Sequence, residues 1–184
     1  MACWLAYPPA APADPAALEH IGPQGLRMER YRAPTPLTVP HAQTLGTGQL
    51  LSVMRDADPV LIDVQPVVVR PETREFGMEW LPATVRYHIA GSAWLPNVGF
   101  GELEPRMERY FRDSLRQLTA GDPGRAVVFY CVLDCWMSWN AVQRAAAYGY
   151  GNLYWYRGGT DEWEQHGQPV VEATPVPIGD AGTP

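Results

Sequence analysis

Val127-Val128-Phe129-Tyr130-Cys131-Val132-Leu133-Asp134-Cys135-Trp136-Met137-Ser138-Trp139-Asn140 is the stretch whose reading decides the fold. Val127 to Tyr130 are apolar without polar alternation, the pattern of a strand buried on both faces. Cys131 ends it and a short curl follows. From Ala141 to Tyr148 small apolar residues then recur at helical spacing. A strand, a curl and a helix in that order present a reactive atom to backbone N–H groups and to the positive end of a helix dipole. Cys135, four residues on, makes the cysteine one of a pair.

Working outward, Pro59-Val60-Leu61-Ile62-Asp63-Val64 is a β-branched run that predicts a buried central strand. Thr44-Leu45 predicts a short edge strand, and Gly46 to Arg55 a short amphipathic helix with Leu50, Leu51 and Met54 on one side. Gln65 to Arg86 reads as a surface excursion carrying an Arg70/Glu72/Arg74/Glu75 cluster. His88 to Pro96 reads as one further strand with Gly91 in mid-run. Leu103 to Leu118 has helical spacing, ended by Gly121-Asp122-Pro123-Gly124. Leu153 to Tyr156 predicts a strand, and Gly158 to Trp163 a turn into a short helix closed by Gly167. Strands alternating with helices give an α/β fold, a central parallel sheet flanked by helices. Residues 1–42 form a Pro/Ala-rich leader and irregular arm, 43–171 the domain, and 172–184 a C-terminal tail.

Composition narrows the function. A chain of 184 residues, 46% hydrophobic, buries one core. A formal net charge of -6 argues against nucleic acid or anionic lipid as partner. No run reaches the roughly 20 apolar residues of a membrane helix. Met1 to Ala13 is compatible both with the tail of an export signal starting upstream and with a plain Pro/Ala leader. Three cysteines, one of them Cys3 in the leader, are too few for a disulfide scaffold.

In order, Leu61-Ile62-Asp63-Val64, His88-Ile89-Ala90-Gly91-Ser92-Ala93, the strand ending in Cys131, and Leu153-Tyr154-Trp155-Tyr156-Arg157-Gly158-Gly159 leading to Trp163 and Gly167-Gln168-Pro169-Val170 resemble the rhodanese-like domain. The resemblance implies that Cys131 accepts a sulfane sulfur as a persulfide. Cys131-x-x-x-Cys135-Trp136, the Tyr154-Trp155-Tyr156 strand and the proline-rich Pro66 to Pro82 insertion are similar to a narrower group. This is the CXXCW-motif family associated with catabolism dependent on pyrroloquinoline quinone (PQQ). It implies a periplasmic accessory factor that serves a quinoprotein dehydrogenase or its electron-transfer partner, with a cytoplasmic location as the alternative. Three residues, not two, separate the cysteines here. The loop also has Asp134, no arginine or lysine, and no glycine, although Asp134 tolerates a left-handed conformation. A carboxylate there is expected to repel an anionic sulfur donor and raise the cysteine.

Three functions remain open. In the first, Cys131 is the nucleophile and Cys135 the resolving thiol of a redox or sulfur-handling protein. Four residues of helix rise about 6 Å, near the Cα separation of about 4.4–6.8 Å that a disulfide needs, and a curl is tighter. In the second, a binding module holds copper through Cys131, Cys135 and His88, or docks a partner without turnover. The third is a thiosulfate sulfurtransferase. No cofactor is expected. Around the pair, Trp136 and Trp139 pack, shield it or dock a flat ligand, and Ser138 and Asn140 cap the helix in preference to bonding the loop. His88 bonds backbone at a strand edge. Asp63 points to the C-terminal rim of the sheet or bonds a neighbouring turn.

Overall fold

The computed structural model of the chain describes residues 19–70 and 79–179. The leader Met1 to Ala13 with Cys3, and Glu72, Arg74 and Glu75 of the charge cluster, lie outside them. In chain order the elements are β1 (Gln43–Leu45), α1 (Thr47–Ala57), β2 (Val60–Asp63), β3 (Val68–Arg70), β4 (Glu79–Leu81), β5 (Tyr87–Ile89) and β6 (Ala93–Trp94). Then follow α2 (Pro105–Leu118), β7 (Val127–Tyr130), α3 (Trp136–Ala147), β8 (Leu153–Tyr156), α4 (Gly159–Gln165) and β9 (Val170–Glu172).

Five strands form the expected parallel sheet in the order β1-β8-β7-β2-β6. The cysteine strand β7 is its centre, with β2 beside it. Alternation along β7 splits the core into two layers, because successive side chains point to opposite faces. Val127, Phe129 and Cys131 face the layer built with Phe111 and Leu115 of α2 and Trp136, Met137 and Ala141 of α3. Val128 and Tyr130 face the layer built with Leu50 of α1 and Trp163 of α4. Each fully buried aliphatic or phenyl side chain here contributes about 1.5–3 kcal/mol.

Two expectations change. The run His88 to Pro96 is not one strand: Gly91, at φ +81°, turns the chain between β5 and β6. That conformation favours glycine, and it sends β5 out of the main sheet to pair antiparallel with β9. The excursion Gln65 to Arg86 is not structureless either, since β3 and β4 pair as an antiparallel ribbon closed by Arg70 and Glu79. In the tail, the Val176 carbonyl accepts from Trp80 Nε1 (2.8 Å) and the Tyr110 hydroxyl (2.9 Å), so residues up to there pack on the domain. Among the described residues no helix is long and apolar enough to cross a membrane.

Candidate thiol site

Register aligns Asp63, Tyr130 and Tyr156 in one row across β2, β7 and β8. One step further, Val64, Cys131 and Arg157 form the carboxyl rim of the sheet, where ligands of parallel α/β sheets bind. The loop from Cys131 to Cys135 is pinned from below by the start of α4. The Thr160 amide donates to the Cys131 carbonyl (3.0 Å), Val132 bridges Gly159, and the Leu133 amide donates to Asp161 Oδ2 (3.1 Å). Gly159 sits at φ +55°, and a Cβ there would lie 2.4 Å from the Cys131 carbonyl oxygen, so glycine alone permits this approach. Asp134 takes the left-handed turn (φ 55°) that the loop, lacking glycine, requires.

The turn brings the two sulfurs to 2.6 Å from each other, both as free thiols. Cys131 has no exposed surface and Cys135 only 2%. Cys131 Sγ–H faces Gln65 Oε1 at 3.0 Å. Burial pushes the Cys131 thiol well above the usual range, with the neighbouring sulfur and the Asp63 carboxylate adding to it and Arg86 acting against it. Cys135 moves the other way. The hydrogen bond from Cys131 draws it below the ordinary thiol range, burial opposes, and the amides of Met137 and Val132 together with Arg32 assist.

Over the pair lies the arm. Arg32 bridges Cys135 backbone to backbone, and the Trp136 amide, the first of α3, donates to the Tyr31 carbonyl (2.9 Å). Helix α3 therefore starts at Trp136, a full turn before the small-residue pattern, with Cys135 itself at the N-cap position. That placement corrects the capping expectation for Ser138 and Asn140, which lie inside the helix. Ser138 accepts from Trp155 Nε1 (2.9 Å) and donates back to the Cys135 carbonyl (3.2 Å). Asn140 is a clamp on the arm: its Oδ1 accepts the Arg27 amide, and its Nδ2 donates to the carbonyls of Arg27 and Gly99, each at 2.8 Å. Trp136 and Trp139 pack edge to face at 5.0 Å, with the Arg27 guanidinium over Trp136.

Asp134 does not act on the sulfurs as expected. Its Oδ1 is held by Arg157 Nη2 (3.2 Å) and by the Thr35 amide (3.1 Å) and hydroxyl (3.2 Å). The carboxylate that bears on Cys131 is Asp63. It is fully buried, accepts the Gln65 amide at Oδ1 (3.0 Å), and pairs at Oδ2 with Arg86 Nε (2.8 Å). Burial pushes its carboxyl up, and Arg86 and the Gln65 amide pull it back. Arg86 also donates to Thr160 Oγ1 (3.2 Å) and to the Cys131 carbonyl (3.3 Å), so a cation reaches the loop from outside it. His88 Nδ1 lies 3.8 Å from Asp63 Oδ2 and makes no hydrogen bond, and burial lowers its basicity. Among the described residues no three His, Cys, Asp or Glu side chains converge on a metal position, so the set Cys131, Cys135 and His88 is not assembled.

Sequence reasoning missed Gln65, Arg86 and Arg32. Gln65 had a signal, because it follows Asp63 at the carboxyl rim. Arg86 and Arg32 reach the site through the tertiary fold alone. Gln65 and Arg86 line a cleft of about 430 Å³ with Pro82, Trp94, Thr160 and Glu164, on the side of Cys131. A larger hollow, about 790 Å³, between Glu108 and Arg112 of α2 and Arg144 of α3, contains neither cysteine.

None of the curated proteins compared matches this chain. Solved structures similar to it include the polysulfide-sulfur transferase homodimer of Wolinella succinogenes, 16% identical over 71% of this chain and 79% of that one, with a TM-score of 0.43. The 3-mercaptopyruvate sulfotransferase SseA of Escherichia coli is 16% identical over 75% of this chain and 55% of that one, with a TM-score of 0.48. The human single-domain sulfurtransferase TSTD1 is 20% identical over 67% and 96%, with a TM-score of 0.39. The family model of the rhodanese-like domain matches residues 47–166, from the first turn of α1 to the end of α4. The chain belongs to the rhodanese-like domain family.

Proposed function

We propose that this chain is a thiol-redox or sulfur-handling accessory protein of PQQ-dependent alcohol catabolism, exported to the periplasm, which works through the Cys131/Cys135 couple. Family membership supports sulfur handling in general, and the Cys131-x-x-x-Cys135-Trp136 segment supports the link to quinoprotein dehydrogenases. The observation that carries the reading is the 2.6 Å approach of two free sulfurs at the carboxyl rim of the sheet. Thiols in contact interconvert with a disulfide by exchange with an incoming disulfide or persulfide. The protein's partner in that exchange is a quinoprotein dehydrogenase or a component of its electron-transfer chain.

Thiol titration with and without reductant, combined with intact mass, tests the reading. The expected result is reversible loss of two titratable thiols with a mass decrease of two hydrogens. Two thiols that stay free under a disulfide oxidant overturn it. Thiosulfate transfer is a second reading that Arg86 favours, because it brings a guanidinium to the Cys131 loop. That cation is committed to Asp63, Thr160 and the Cys131 carbonyl, however. Thiocyanate formation from thiosulfate and cyanide is accordingly expected to stay at the uncatalysed rate.

A further inference from the structure

The two sulfurs sit in unlike surroundings. Cys131 Sγ has acceptors on both sides, Gln65 Oε1 at 3.0 Å and Cys135 Sγ at 2.6 Å, with the Asp63 carboxylate near. Those acceptors hold the single thiol proton on Cys131, and full burial disfavours its loss, while the Asp63 charge is offset by its Arg86 partner. Cys135 Sγ accepts from the Cys131 thiol at 2.6 Å, and the backbone of Arg32 bridges that of Cys135. It also stands at the N-cap position of the 12-residue α3, whose dipole favours an anion there. Granted the thiol-exchange function, we infer that Cys135 is the attacking thiolate and Cys131 the proton-holding, resolving thiol, the reverse of the order the family resemblance implies.

In that order Cys135 S⁻ attacks one sulfur of an incoming disulfide R–S–S–R′. The R–S–S–R′ bond breaks, a Cys135–S–S–R bond forms, and R′S⁻ leaves and takes a proton. Cys131 then gives up its proton and attacks Cys135 Sγ. RS⁻ leaves, takes that proton and is released as RSH, while the Cys131–Cys135 disulfide forms. Two electrons pass from the protein to the substrate disulfide. Because Cys135 is only 2% exposed, the chain around it must open before any disulfide reaches it.

The test is competitive alkylation of the reduced full chain by iodoacetamide across a pH series, read by peptide mapping. Cys135 is expected to react first, on the order of tenfold faster than Cys131 at neutral pH. With cystamine as the probe disulfide, Cys131→Ser is expected to trap a stable cysteamine adduct on Cys135. Cys135→Ser is expected to form none at neutral pH, and the wild type to give only the internal disulfide. Faster labelling of Cys131, or an adduct on Cys131 in Cys135→Ser, overturns the order of attack while leaving thiol exchange intact. Alkylation of neither cysteine until the chain is unfolded overturns both. The wild-type map decides even where a serine variant does not fold.

Discussion

At the scale of single residues, Asp63 and Arg86 are the pair on which the site depends. A carboxylate without exposed surface is tolerable because a guanidinium meets it at 2.8 Å. Arg86→Met removes that partner and also frees the Cys131 carbonyl, and is expected to cost roughly 3–5 kcal/mol in urea unfolding. Asp63→Asn in the same chain should recover part of the loss. The variant's deficit has a definite pH dependence. Without Arg86 the already raised carboxyl rises further, so the folded state retains a proton that the unfolded state releases. The deficit is therefore smallest below the usual carboxylate range, about pH 4, and grows as pH rises toward the folded value. A deficit that shrinks with rising pH would refute the assignment. Gly159→Ala is expected to destabilise by roughly 1–3 kcal/mol through its left-handed backbone and to displace the Cys131 loop, visible as altered thiol reactivity. The placement of Cys131 and Asp63 at strand ends was legible because hydrophobic runs predict where the strands of a parallel sheet stop. Arg86 was not, since its segment has no period and its partners are 23 to 74 residues away in sequence.

At the scale of elements, α3 joins the sheet to the arm. The small-residue period marks it only from Ala141, because tryptophan, methionine and serine at 136–139 do not share that period. In the fold those residues are buried on both sides, by β7 and β8 beneath and by the arm above. Apolar residues all round a helix are the mark of such double burial. The Asn140 clamp is one of the polar exceptions, and it fixes the arm at Arg27. Asn140→Ala leaves one amide and two carbonyls without their partner and is expected to cost about 1–3 kcal/mol. Because the lost contacts are mainly on the arm, limited proteolysis should cut within residues 20–35 sooner than in the wild type. The domain itself should unfold as before in its main transition. Unchanged cleavage of the arm would mean that Trp136, Trp139 and Arg157 hold it without Asn140.

Across the whole molecule, the parallel sheet and its two covering layers followed from order and periodicity, because most of its strands are short apolar runs next to helical patterns. What escaped was everything built from short pieces outside the main sheet: the β3–β4 ribbon, the β5–β9 pair and the anchored tail. Those depend on pairings between distant segments that no local period announces. Truncation after Glu172 removes the acceptor of Trp80 and Tyr110 and is expected to lower Tm and shift tryptophan emission to the red. An unchanged Tm would show that Val176 contributes nothing. The Tyr31 carbonyl is seated on the first amide of α3. The first donor of that helix is thus spent on a peptide group of its own chain. Uncovering Cys135 and lifting this internal plug are then one equilibrium. A partner that pulls on residues 27–35 would raise the reactivity of the sulfurs without touching either of them.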